Sequence, residues 1–124
     1  MKNKILFILT FLIGSIVYSQ DEISKIVAPD DLKVGKEITV KVTYTASENR
    51  DVTIAVQLSK DPWTGVAWAK KTVTAGSGTI DIKVKISESA APGSDYKIAA
   101  VIKPVGKAWK DRLDQKTKSV IISE

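Results

Sequence analysis

Residues 37–46 read Glu37-Ile-Thr-Val-Lys-Val-Thr-Tyr-Thr-Ala46 and alternate without a fault. Ile38, Val40, Val42 and Tyr44 fall on one face, and Thr39, Lys41, Thr43 and Thr45 on the other. An apolar residue at every second position fits a pleated strand with one buried and one wet face, and does not fit the 3.6-residue period of a helix. The pattern returns at 51–58, with Val52, Ile54, Val56 and Leu58 inward, and at 79–86, with Ile80, Ile82, Val84 and Ile86 inward.

Working outward, 23–28 is a first strand stopped by Pro29-Asp30-Asp31, and Ser47-Glu-Asn-Arg50 is a turn. The segment Ser59-Lys-Asp-Pro-Trp-Thr-Gly65 is a loop, because Pro62 and Gly65 do not suit a central strand. A weaker strand at 67–75 leads to Gly76-Ser77-Gly78, which reads as a hairpin link. A loop at 87–95 holds Pro92-Gly93; strands at 96–103 and 117–123 close the chain around a connection at 104–116. About seven short strands so spaced predict an all-β, two-sheet antiparallel β-sandwich, with a closed barrel as the other arrangement. The first, second, fifth and fourth strands are expected to oppose the third, sixth and seventh.

The first nineteen residues stand apart. Lys2 and Lys4 precede an apolar run from Ile5 to Ile13, broken only by Thr10, and Val17-Tyr18-Ser19 suits cleavage before Gln20. Residues 1–19 therefore read as a signal peptide, and 20–124 as one β-sandwich domain. Of the 124 residues, 105 remain; two of the 19 basic residues leave and none of the 14 acids, so the charge falls from +5 to +3. That is too little, and too scattered, for nucleic acid. No second long apolar segment suggests a membrane span after cleavage, so the expected location is secreted or periplasmic. The chain has no Cys, so its core must stabilise it without disulfides.

One motif is sharper than the rest. Ala91-Pro-Gly-Ser-Asp-Tyr96, followed by the strand beginning Lys97-Ile98-Ala99-Ala100-Val101, resembles the approach to the sixth strand of fibronectin type III and related immunoglobulin-like domains. The pattern Pro29-x-x-Leu32-x-x-Gly35 before the strand ending in Tyr44 resembles bacterial immunoglobulin-like modules. The resemblance implies an immunoglobulin-like or fibronectin type III-like sandwich in which the Tyr96 hydroxyl bonds back to the backbone of the preceding corner. It implies fold more than function, although such domains often accompany secreted bacterial enzymes that degrade polysaccharides.

Catalysis finds little support. The chain has no His and no Cys, which removes the common triads and zinc sites. Asp30 with Asp31, and Asp111 with Asp114, read as turn-solvating acids rather than a hydrolytic pair, and the acids elsewhere fall in turns or on wet strand faces. The same loop acids are oxygen ligands of the kind calcium takes, but no Asp-x-Asp-x-Asp-Gly run exists, and Lys33, Lys110 and Arg112 would oppose a cation there. No enzyme, metal or cofactor is expected.

The tryptophans carry the remaining information. A sugar ring stacks its C–H face on an aromatic ring while charged and amide side chains bond its hydroxyls. Trp109, with Lys110, Arg112 and Asn49 from a neighbouring turn, forms one candidate patch, and its cations suit sulfate or carboxylate. Trp63, Trp68 and Lys70 form a competing patch. Alternation places Trp68 outward with Lys70 if Val73 faces in, although a bulge would reverse it. Loops of successive antiparallel strands alternate ends, so Trp63 and Trp109 are not expected in one small site. Most aromatic burial is structural, so for Trp109 the sequence favours a plug sealing one end of the core over a ligand platform.

Together these features suggest an exported, non-catalytic recognition or adhesion module whose partner is a polysaccharide or a cell-surface protein. Carbohydrate would bind through loop Trp and basic residues. The alternative is a structural or protein-interaction module acting through a sheet edge, with no small ligand.

Overall fold

A computed structural model describes residues 21–61 and 64–124. The expected signal peptide at 1–19 and the loop tryptophan Trp63 lie outside the described residues. The described residues form eight strands: β1 (Glu22–Val27), β2 (Asp31–Lys33), β3 (Glu37–Ala46), β4 (Arg50–Leu58), β5 (Gly65–Val73), β6 (Gly76–Lys85), β7 (Gly93–Pro104) and β8 (Asp114–Ser123). A single 3₁₀ turn, Trp109–Asp111, interrupts the β7–β8 connection, too short to leave a helical period in the sequence.

The strands form two packed sheets, one ordered β1-β3-β6 and the other β2-β8-β7-β4-β5. The alternation of β3 decides what packs between them. Val40, Val42 and Tyr44 join Val52, Ile54 and Val56 of β4, Ile82 and Val84 of β6, and Ile98, Ala100 and Ile102 of β7 in one core. Each fully buried Val or Ile contributes roughly 1.5–3 kcal/mol of transfer free energy, so this shared core is what holds the two sheets face to face. At the entrance to β7, the buried Tyr96 donates its hydroxyl to the Ala91 carbonyl at 2.7 Å, fixing the chain where it turns into the strand.

Three expectations need correction. The fourth strand, β5, pairs with β4 in the five-stranded sheet and not with the first, second and fifth strands. The two strands pair antiparallel from Arg50 opposite Val73 to Gln57 opposite Gly65, and the Thr72 hydroxyl adds a 2.7 Å bond to Asp51 across that pair. Residues 76–78 are consequently no hairpin link. They begin β6 and pair with Tyr44, Thr45 and Ala46 of β3, so the chain changes sheet between Val73 and Gly76. An eighth strand, β2, arises where a loop was expected: Asp31, Leu32 and Lys33 pair in parallel with Ile121, Ile122 and Ser123. Leu32 is fully buried and anchors it.

Candidate functional site

The outer face of the five-stranded sheet is not the wet surface that alternation implies. Asp51, Thr53, Ala55 and Gln57 of β4 point away from the core, yet all four are buried; so are Ala99, Val101 and Lys103 of β7. Residues 105–113, the β7–β8 connection, fold back against this face. Gly106, whose φ of 77° suits glycine, turns the chain and donates its N–H to Asp51 Oδ2 at 3.1 Å. Lys103 Nζ donates to the Lys107 carbonyl at 2.5 Å, and Leu113 N–H returns to the Ile102 carbonyl at 2.7 Å. Between these anchors the 3₁₀ turn is closed by Asp111 N–H to the Ala108 carbonyl and by Arg112, which donates both its N–H and its Nη1 to the Trp109 carbonyl.

The folded-back loop forms one wall of a cavity of about 790 Å³, a size that suits a small ligand or a segment of a polymer. Trp109, Lys110 and Arg112 line it from the loop, Trp68 and Gly65 from β5, Ala55 and Gln57 from β4, Lys97 from β7 and Gln115 from β8. The register explains the floor. Trp68 lies opposite Ala55, Ala55 opposite Ala99 and Ala99 opposite Thr117, so small residues separate the two Trp-bearing elements across the sheet. Trp68 is 62% exposed and Trp109 half-buried. The lining holds three cations and two primary amides, and no carboxylate among the described residues.

The sequence placed these residues in two competing patches; the fold places Trp68 from one beside the cavity that Trp109, Lys110 and Arg112 line. The 105–113 segment runs back along the sheet, which brings Trp109 to the same cavity as the strand residue Trp68; the expected separation of Trp63 from Trp109 lies outside the described residues. Trp109 is accordingly no end plug: it belongs neither to the core nor to the partly buried apolar residues packed on it. Asn49 is exposed in the turn before β4 and does not line the cavity. At about 3.3 Å per residue, roughly 20 Å of strand separates it from Ala55. Lys70 lies on the same outer face, with Nζ 3.9 Å from Asp51 Oδ2, and is also outside the lining.

Sequence reasoning missed Gln57, Lys97 and Gln115, and it took strand acids for solvated ones. Asp51 is only 1% exposed. Burial pushes its carboxyl up, but the Thr72 hydroxyl, the Gly106 N–H and the Lys70 and Lys103 charges outweigh that and hold it below the usual carboxylate value. Asp114 likewise does more than solvate a turn, accepting the Ile23 N–H at 2.8 Å and tying β1 to the opposite sheet. Among the described residues, no three His, Cys, Asp or Glu side chains converge to hold a metal ion. No helix among them is long and apolar enough to cross a membrane.

An all-β sandwich with an aromatic, cationic cavity on one sheet is thus the class of protein at hand. Residues 23–115 match the porphyranase-associated domain, and the chain belongs to that family. The matched span includes Trp68 and the entire 105–113 segment. No curated protein matches the chain.

Proposed function

We propose that this protein is an exported, non-catalytic accessory module that binds an anionic polysaccharide in the cavity on the outer face of its five-stranded sheet. The observation that carries the reading is the pairing of two tryptophans with Lys97, Lys110 and Arg112 around one cavity whose described lining has no carboxylate. Aromatic faces stack on sugar rings; ammonium and guanidinium groups bond sulfate or carboxylate, with Arg offering a planar fork. Gln57 and Gln115 add amide donors and acceptors for hydroxyls. The family's name ties its members to an enzyme of polysaccharide breakdown, which supports a carbohydrate-directed accessory role. Glycoside hydrolysis commonly uses two carboxyl groups flanking the bond, and the described residues lining this cavity supply none.

Strand addition at an edge is the other reading. β1, β6, β2 and β5 are the sheet edges, but Lys25, Lys83 and Lys85, Lys33, and Lys70 and Lys71 stand on them in turn, and edge lysines discourage pairing with another chain. The cavity therefore carries the proposal.

The test is a titration of the protein with a sulfated galactan, the same polymer after desulfation, and a neutral glucan, following tryptophan fluorescence and calorimetry. The sulfated polymer is expected to bind and shift the emission, with an affinity that falls as salt is added. A protein that responds to none of the three, or to all three alike, would sink the proposal.

A further inference from the structure

The two walls of the cavity belong to elements that do not pair with each other: Trp68 is on β5, and Trp109 is on the β7–β8 connection. One side chain bridges them. Asp51 Oδ1 accepts the Thr72 hydroxyl of β5 at 2.7 Å, and Asp51 Oδ2 accepts the Gly106 N–H of the connection at 3.1 Å. Lys70 of β5 and Lys103 of β7 flank the same carboxylate; the Lys103 ammonium also donates to the Lys107 carbonyl, holding the foot of the connection from a second point. Asp51 itself lies four residues along β4 from Ala55, roughly 13 Å at the usual strand rise. It is not among the cavity's lining residues.

We infer that Asp51 is a positioning residue: by tying Thr72 to Gly106 it fixes the 105–113 connection against the sheet and so sets the width of the gap between Trp68 and Trp109. Strand pairing alone fixes Trp68, because Ala55 lies opposite it in the β4–β5 ladder. Trp109 has no ladder to hold it. Its wall hangs between the two ends of the connection: Leu113 N–H to the Ile102 carbonyl holds the far end, and the Gly106 and Lys107 anchors hold the near end, the one that Asp51 reaches. A buried carboxylate accepting a backbone N–H and a hydroxyl makes charge-assisted bonds, which are stronger than neutral ones, and stronger still away from water. The inference rests on the cavity being the carbohydrate site, but the position of the loop can be measured without a ligand.

Asp51→Ala removes both bonds. Asp51→Asn keeps them, since its carbonyl can accept from Gly106 while its NH₂ donates to the Thr72 hydroxyl. Thr72→Val, nearly isosteric, cuts only the link to β5. In ¹⁵N spectra of the free protein, Asp51→Ala is expected to move the Trp109 indole resonance and to unprotect the Gly106 amide; Asp51→Asn should restore both. Affinity for the sulfated galactan should fall roughly tenfold in Asp51→Ala, about the loss of one charge-assisted bond's worth of order, and recover in Asp51→Asn. Should Asp51→Ala fail to fold, Thr72→Val is expected to move the Trp109 indole resonance less but clearly. An unmoved Trp109 resonance in the folded variant, or a moved one with unchanged affinity, overturns the inference. If the wild-type protein binds no sulfated galactan, the carbohydrate reading fails alone, and the Trp109 and Gly106 resonances still decide whether Asp51 sets the loop.

Discussion

Trp68 and Trp109 line a common cavity, Ala55 lying opposite Trp68 in the β4–β5 ladder, and neither tryptophan belongs to the core that joins the sheets. Binding and folding should therefore separate at both positions. Trp68→Ala, at an exposed site, is expected to change unfolding free energy by no more than about 0.5 kcal/mol while abolishing the fluorescence response to glycan. Trp109→Ala gives up half-buried area and should cost about 1–2 kcal/mol, below the roughly 3–5 kcal/mol of a core Trp→Ala change. Urea denaturation of the two variants measures both. A Trp109→Ala protein that does not fold would restore the end-plug role that the structure argues against.

Tyr96 presents the opposite case, a ring whose work is structural. It is buried, and its hydroxyl reaches the Ala91 carbonyl at 2.7 Å. Tyr96→Phe keeps the ring and leaves that carbonyl without this donor, so stability should fall by about 1–2 kcal/mol. Glycan affinity should stay where it was, because Tyr96 faces away from the cavity that Trp68 and Trp109 line. Denaturation midpoints and a single titration distinguish the two effects.

What the sequence disclosed and what it hid follow a physical division. The faces of β3 and β6 were legible because burial on one side imposes period two, and the exposure of Trp68 follows from the same rule once Val73 is set inward. The return of the 105–113 connection was not, because it depends on Asp51 meeting Gly106 across a large separation in sequence, and nothing local distinguishes that aspartate from one in solvent. One signal was present and went unread. Residues 98–102, Ile98-Ala-Ala-Val-Ile102, are apolar without a break, which is how a strand covered on both faces reads. Together with Ala55 on the supposedly wet face of β4, that run marks where the connection lies and where the cavity floor is.

Thr53 is part of the same covered face and pays for it: its side chain is fully buried, and its hydroxyl oxygen has no hydrogen-bond partner. A buried hydroxyl without a partner costs roughly 1–3 kcal/mol, whereas a methyl group in its place suits both the β-strand and the neighbouring Val101. Thr53→Val is expected to raise stability by about 1 kcal/mol and leave the spectrum of Trp109 unchanged. A thermal melt that shows destabilisation instead would mean that the hydroxyl is satisfied, by water or by a shifted loop.

Arg50 grips Asp21 with two bonds, Nε to Oδ1 at 2.9 Å and Nη2 to Oδ2 at 3.2 Å, and Ser47 adds its N–H to the same carboxylate. Burial pushes the Asp21 carboxyl up, but these donors outweigh it and hold the group below its ordinary value of 3.8. A carboxyl whose folded-state pKa is depressed contributes its full stability above the unfolded pKa and loses it as the pH falls through the folded one. The gap in stability between the wild-type protein and Asp21→Asn should thus be constant above about pH 5 and close progressively in acid. Its size should be about 1 kcal/mol, between that of an exposed pair and that of a buried one, since both side chains retain some solvent contact. Asp51 and the other depressed carboxyls titrate in the same direction, so only the difference between the two proteins isolates Asp21. Denaturant melts of both from pH 2 to 8 measure it, and a gap that widens in acid would show that the Arg50 pair does not depress the Asp21 pKa.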